Sequence, residues 1–153
     1  MTGSASERLA ELGIVLPSVS VPAGSYQPTA RTGNLVFTAG QLPFVDGVLP
    51  ATGKVGAEVA PAEANRLARQ SALNVLAAVN AAVGIDSVVR VVKVVGYVAS
   101  APGFNGQPGV INGASDLFAE VFGEAGRHAR SAVGVSELPL NAPVEVEAIV
   151  EVR

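Results

Sequence analysis

Chemistry in this sequence must come from carboxylates, arginines, hydroxyl groups and the backbone. The chain has no cysteine, which excludes disulfides, thiolate nucleophiles and cysteine-bound metals. A single histidine, His128, argues against a histidine-based metal site or a catalytic triad. The glycine-containing segments match neither the Walker pattern nor the GxGxxG pattern of a dinucleotide-binding turn. We therefore expect no metal and no cofactor.

A row of acidic residues near the C-terminus is the first candidate for that chemistry. Between residues 144 and 152 the even positions are apolar, and three odd positions carry Glu145, Glu147 and Glu151. This period of two is typical of a half-buried strand, although acidic residues are depleted in strands. The row is either the solvated outer face of a sheet, or one of its glutamates faces a cleft and pairs with Arg130.

The second interpretation would give the pair a use in catalysis. A carboxylate beside a guanidinium stays ionised, whereas burial raises its pKa, and the balance decides whether it can orient or deprotonate water. The planar guanidinium of Arg130 is suited to binding a small carboxylate through two parallel hydrogen bonds.

Hydrophobic periodicity and turn residues predict the elements that position these side chains. The main order is strand, strand, helix, strand, helix, strand, strand, which indicates an α+β fold: a single mixed sheet with two helices packed on one face. We expect one domain over residues 1–153, with residues 1–21 as an N-terminal extension. The predicted elements are a short helix at 6–13, a hairpin or meander across 30–50, helices at 61–83 and 110–122, a buried strand at 87–100, and strands across 131–138 and 143–152.

The composition is unusually apolar for a soluble domain. Hydrophobic residues make up 49% of the chain and charged residues 15%, and the mean hydropathy is +0.42. No segment approaches the roughly 18 uninterrupted apolar residues that a membrane span needs, so we expect apolar surface to be buried between the subunits of a homo-oligomer. The net charge of −3 and the lack of a basic cluster argue against a nucleic-acid partner. The first residues lack the basic start and apolar core of a secretory signal, which predicts a cytoplasmic protein.

Three segments carry a resemblance to a known family. They are "GSYQPTARTGNLVFTAGQLP", "QSALNVLAAVNAAVGIDSVVRVVKVVGYV" and "ARSAVGVSELPLNAPVEVEAIV". Their order and spacing over residues 22–152 resemble the RidA (YjgF) family of reactive enamine/imine deaminases. The resemblance implies a chorismate-mutase-like fold and a barrel-like homotrimer with clefts between subunits, which would account for the apolar composition.

The resemblance also implies an activity and a site. The activity is hydrolytic deamination of small imino acids of the 2-aminoacrylate type to 2-keto acids and ammonia. In the family the motif arginine binds the substrate carboxylate, and the first glutamate of the last strand positions or activates water. These roles fall on Arg130 and Glu145. Tyr26 would line the cleft, and Gly40 and Gln41 match a Gly-Gln pair at which the main chain approaches the ligand.

Departures from the family pattern mark a divergent branch. His128 stands where a proline usually precedes the Ala-Arg pair, and Ala39 replaces a serine that commonly precedes Gly-Gln. The helix that normally supplies a polar asparagine does not align cleanly, so Asn112 and Ser115 both compete for that substrate-binding position.

Two other functions are compatible with these residues. A non-catalytic member of the family could bind small carboxylates through Arg130 without hydrolysing anything, and Ala39 and His128 motivate that alternative. Ribonuclease activity is a further possibility, against which the acidic charge balance and the missing basic patch argue.

Overall fold

The computed structural model describes residues 3–22 and 24–153 and contains one five-stranded sheet with helices on one of its faces. In the described residues the helices are α1 (Ala5–Glu11), α2 (Pro61–Val83) and α3 (Gln107–Phe122), and the strands are β1 (Thr29–Thr32), β2 (Leu35–Thr38), β3 (Val88–Ala99), β4 (Ala129–Val135) and β5 (Val144–Val152). Short 3-10 turns lie at Ile85–Ser87, Gly123–Gly126 and Pro139–Asn141.

The strands are arranged in the order β1-β2-β5-β3-β4. Strands β3 and β4 are parallel and every other neighbouring pair is antiparallel, so the sheet is mixed. The parallel pair needs a crossover connection, which α3 provides. The predicted α+β class with a single mixed sheet is confirmed.

The long helix α2 has the bounds that the sequence predicted. Pro61 occupies its first turn, where a missing backbone N–H costs nothing, and Gly84 ends it with a φ of 80° that favours glycine. Its apolar side chains enter the core at helical spacing, including Val75, Leu76 and Val79, all fully buried.

The structure has three helices, one more than the two that the predicted fold class counts, because the short helix predicted at 6–13 is present as α1 and folds against the body of the domain. Ser4 caps this helix by accepting a hydrogen bond from the Glu7 backbone N–H, Leu9 is buried in the main core, and Arg8 Nε donates to the Glu120 carbonyl at 3.0 Å. A helix of seven residues is marginal alone, so this packing stabilises it. No helix in the described part of the chain is long and apolar enough to cross a membrane.

Strand β5 shows the alternation that its sequence predicted. Its even residues are buried against the helices, whereas its odd residues, the glutamates among them, are only half-buried on the other face. Close packing of α3 on β3 explains the glycine at position 96, because a Cβ there would lie 2.5 Å from the Ile111 side chain.

The sheet face opposite the helices, here called the open face, carries apolar side chains that remain accessible. Phe37 and Val133 are 40% and 42% exposed, and Val95 and Ile149 are half-buried. The strand register places Phe37 directly beside Ile149 on this face. An apolar sheet surface of this kind is what contacts between subunits usually bury.

Candidate active site

Glu145 borders a cavity of about 350 Å³ at one end of the open face. It lies between Val144 and Val146, whose side chains enter the helix-side core, so its carboxylate leaves the strand on the opposite face. Tyr26, Gly40 and Gln41 line the same cavity. The structure therefore brings four of the predicted site residues together.

The backbone at Gly40 lies directly against the Glu145 side chain. A Cβ on Gly40 would stand 2.8 Å from Cδ of Glu145, which leaves no room for a larger residue without moving the carboxylate. Gln41 is then fixed on β5, since its backbone N–H donates to the Val146 carbonyl at 2.8 Å and its carbonyl accepts from the Val146 N–H at 3.1 Å. Main chain thus forms the cavity wall beside the acid.

Burial raises the pKa of the Glu145 carboxyl above its ordinary value, and the nearby Glu147 charge raises it further. Among residues 3–22 and 24–153, no group donates a hydrogen bond that would stabilise the Glu145 carboxylate. A carboxylate with a raised pKa that faces a cavity is a stronger base than an exposed one, and it retains its lone pairs for water.

The three glutamates of β5 have different surroundings. Glu147 accepts a hydrogen bond from the Tyr97 hydroxyl at 2.5 Å, and this bond, together with burial, raises the pKa of Tyr97 to about 12. Glu151 lies beside Arg90 in the strand register. The interpretation of the row as a uniform solvated face therefore does not describe Glu145, which is the glutamate that faces the cavity.

Two amide side chains of α2 that were not among the predicted site residues support the cavity wall. Asn74 donates from Nδ2 to the carbonyls of Leu42 and Phe44 at 3.0 and 3.1 Å, and Gln70 donates to the Phe44 carbonyl at 3.2 Å. These bonds hold the segment that follows Gln41. The sequence carries one sign of this support: Asn74 is a polar residue on the apolar stripe of α2, and in the structure it is only 4% exposed.

Arg130 belongs to a second group of residues at the edge of the sheet. The β3–β4 register aligns it with Val94, which is fully buried on the helix side, so its side chain reaches α3. Its Nη1 donates to Asn112 Oδ1 at 2.8 Å and to Ser115 Oγ at 3.2 Å, and its Nη2 lies 3.4 Å from the Pro108 carbonyl. Both residues that competed for the polar position of this helix therefore contact the arginine.

His128 completes this second group. Its Nε2 lies 2.9 Å from Ser115 Oγ, its Nδ1 lies 2.7 Å from the Gly126 carbonyl oxygen, and its ring meets the ring of Phe118 edge-on at a centroid distance of 5.7 Å. Burial lowers the pKa of His128, and the Arg130 charge lowers it further.

The two groups lie on opposite faces of the sheet within one chain. Glu145 is on the open face, whereas Arg130 is on the helix face, and the structure shows no ion pair between them. The pairing of Arg130 with a glutamate of the last strand is therefore not made inside one chain. Among the described residues, no three histidine or acidic side chains come together as metal ligands.

An α+β domain with one mixed sheet, an acid-lined cavity and a separate arginine cluster defines the class of protein, and comparisons identify the family. The family model described as "YjgF/chorismate_mutase-like, putative endoribonuclease" matches residues 6–152. The chain therefore belongs to the YjgF family.

Individual relatives extend over nearly the whole chain. Protein TCP17 of Trypanosoma cruzi is 45% identical over 154 residues, covering 99% of this chain and 96% of the relative. A protein of Dermatophagoides farinae named 2-iminobutanoate/2-iminopropanoate deaminase is 33% identical over 141 residues, covering 92% and 95%. The crystal structure of protein Atu1372 of Agrobacterium tumefaciens superposes with a TM-score of 0.90 at 48% identity, covering 97% of this chain and 92% of that one.

Proposed function

We propose that this protein hydrolyses the C=N bond of small imino acids, formed from reactive enamines such as 2-aminoacrylate, to 2-keto acids and ammonia. The observation that carries the proposal is the Glu145 carboxylate, half-buried with a raised pKa and facing a cavity lined by Tyr26 and the Gly40–Gln41 backbone. A relative that is 33% identical bears the name of this activity.

The reaction requires the protein mainly to position the substrate and the attacking water. Arg130 binds the substrate carboxylate through the guanidinium edge, and Glu145 takes a proton from water as the water oxygen adds to the imine carbon. Glu145 returns this proton to the nitrogen of the tetrahedral adduct, the hydroxyl proton follows it to nitrogen through Glu145, and the C–N bond breaks to release ammonia and leave the 2-keto acid. An imine is already electrophilic, so orientation of water and substrate supplies the catalysis without a cofactor.

Assembly is part of the proposal, because Arg130 and Glu145 lie on opposite faces of one chain. We propose a homotrimer in which the Arg130 group of one subunit meets the Glu145 cavity of its neighbour across a shared cleft. The accessible apolar residues of the open face, Phe37, Val133 and Ile149 among them, would be buried in these contacts. Sedimentation velocity over a dilution series should show a trimer that persists to low protein concentration; a stable monomer would contradict the shared cleft.

The activity is tested by ammonia release from 2-aminoacrylate generated enzymatically in the same vessel. The wild-type protein should accelerate release, and Glu145→Gln should lower kcat about 10²–10⁴-fold, the usual contribution of a general base. Glu151→Gln is the matched control, since it removes the same charge from the same strand face away from the cavity, and it should keep nearly full activity.

The outcome also separates the competing functions. If pyruvate binds in an Arg130-dependent manner and the protein releases no ammonia from any imino acid, it is a carboxylate-binding member of the family. If Glu145→Gln and Glu151→Gln are equally active, Glu145 is not the base. Ribonuclease activity has little support, because the chain has a net charge of −3 and the cavity beside Gly40 is lined by an acidic residue, Glu145, rather than by a basic one.

A further inference from the structure

A continuous chain of hydrogen bonds connects Arg130 to His128 through Ser115. A carbonyl oxygen only accepts, so the contact to Gly126 places a proton on His128 Nδ1. In the neutral ring Nε2 is then an acceptor, and the Ser115 hydroxyl donates its hydrogen to it. The Ser115 oxygen in turn accepts from Arg130 Nη1. Every bond in the chain therefore has a defined direction, toward His128.

Arg130 keeps one edge for a ligand while it is held by this chain. Both hydrogens of Nη1 are used by Asn112 and Ser115, whereas Nε makes no hydrogen bond with the residues that the structure describes. A carboxylate would bind along the Nε and Nη2 edge, on the side of the guanidinium opposite to Nη1 and Ser115. Ser115 therefore does not contact the carboxylate, and His128 senses the carboxylate through the charge of Arg130.

We propose that His128 couples capture of the substrate carboxylate to the uptake of one proton from solvent. When a carboxylate binds Arg130, it offsets the guanidinium charge, the ring gains a proton on Nε2, and Ser115 turns its hydroxyl hydrogen away and accepts from Nε2. The inference rests on the carboxylate-binding role proposed above for Arg130. His128 acts through Arg130 and is a positioning residue.

The charge of Arg130 determines the sign of the coupling between carboxylate binding and protonation of His128. The elements around the ring carry Arg130 on β4, Asp116 on α3, the exposed Glu124–Arg127 ion pair on the preceding turn, and Lys93 on β3. Of these, Arg130 is the charge that opposes protonation of His128. A bound carboxylate neutralises that charge and removes the opposition. Proton and carboxylate therefore bind with positive coupling, and the coupling is reciprocal.

The single histidine makes a direct test possible. Long-range ¹H–¹⁵N NMR of the wild-type protein follows the two ring nitrogens of His128 through a pH titration, with and without saturating pyruvate, the 2-keto acid expected from 2-iminopropanoate. The free neutral ring should carry its proton on Nδ1, and pyruvate should raise the pKa of His128. Because the coupling is reciprocal, pyruvate should bind about fivefold or more tightly when His128 is protonated than when it is neutral, as is usual for coupled sites. A pKa that pyruvate leaves unchanged or lowers would overturn the proposal, as would a neutral ring protonated on Nε2.

A variant assigns the coupling to the imidazole. His128→Gln offers an amide oxygen to the Ser115 hydroxyl but cannot be protonated, so its pyruvate affinity should lose the fivefold dependence on pH that the wild type shows. The same dependence in His128→Gln would show that another group, such as Glu145, is responsible, and would refute the proposal.

A second variant separates this inference from the proposed function. Pyruvate binding that is absent, or that is unaffected by Arg130→Lys, would remove the carboxylate-binding role of Arg130 and both proposals with it. Binding that requires Arg130 but leaves the His128 titration unmoved would overturn the proton coupling alone.

Discussion

The charge of Glu147 offers a quantitative test of Glu145 as the catalytic base. The two carboxylates lie on the same strand face two residues apart, which is about 6–7 Å at the usual strand rise. Charges at that distance repel by about 0.6 kcal/mol in water and about 2.5 kcal/mol at an effective dielectric constant near 20. Both side chains are partly solvated, so we take about 1 kcal/mol, which corresponds to about 0.7 in pKa.

The direction in which the kcat profile should move follows from the raised pKa of Glu145. A base works only when ionised, so kcat should fall as pH drops through the pKa of Glu145 in the complex. Glu147→Gln removes a charge that raises this pKa, and Tyr97 can still donate to the amide oxygen at position 147. The acid limb of the kcat profile should therefore move to lower pH by about 0.5–1 unit, while kcat on the plateau above that limb should be nearly unchanged.

The assay is ammonia release at saturating substrate between pH 4 and 9, since kcat is insensitive to the pH dependence of binding expected from His128. Glu147→Asp is the matched control, because it keeps a negative charge on the same strand position and should leave the limb near its wild-type pH. An acid limb that stays in place in Glu147→Gln, or moves to higher pH, would refute the assignment of that limb to Glu145.

Two further substitutions test other parts of the site. Arg130→Lys should raise the KM about as much as Arg130→Ala, because lysine offers a point charge without the planar pair of donors; a lysine variant with wild-type KM would show that charge alone suffices. Gly40→Ala should fold, as judged by circular dichroism, yet lose at least about tenfold in kcat, because its Cβ would displace a carboxylate at 2.8 Å and small misplacements in a site are costly; unchanged kcat would mean that Glu145 can move without effect.

Elements with a strong local pattern were predicted well. Helix α2 and strand β5 are examples, because helical spacing of apolar residues and period-two alternation are properties of a short segment. The Asp46-Gly47 pair is also locally determined: both residues have positive φ, and Val45 and Val48 exchange hydrogen bonds across the turn. Of the hairpin or meander predicted across 30–50, the structure has the β1–β2 hairpin, followed by this separate turn.

Prediction was poorer where an element depends on distant partners. The N-terminal segment reads as a weak short helix, and only its packing on α3 through Leu9 and Arg8 makes it part of the core. The predicted start of α3 lies three residues after the observed one, because Gln107 and the residues after it have little apolar periodicity and α3 has no capping side chain.

The candidate site shows the same difference between what the local sequence predicts and what the tertiary structure decides. Residue types and spacing selected Arg130 and the glutamates of the last strand as candidates, and the family resemblance implied the role of Glu145, the role of Tyr26 and the reaction. Which of them share a cavity was decided by the tertiary structure, because period-two alternation orients side chains only relative to their own strand. The parallel register of β4 on β3 turns Arg130 toward α3, and the antiparallel register of β5 turns Glu145 to the open face. Those registers are set by contacts between residues far apart in the chain. The hydrogen bond between Ser115 and His128 also joins two different elements, so no local pattern could have revealed it.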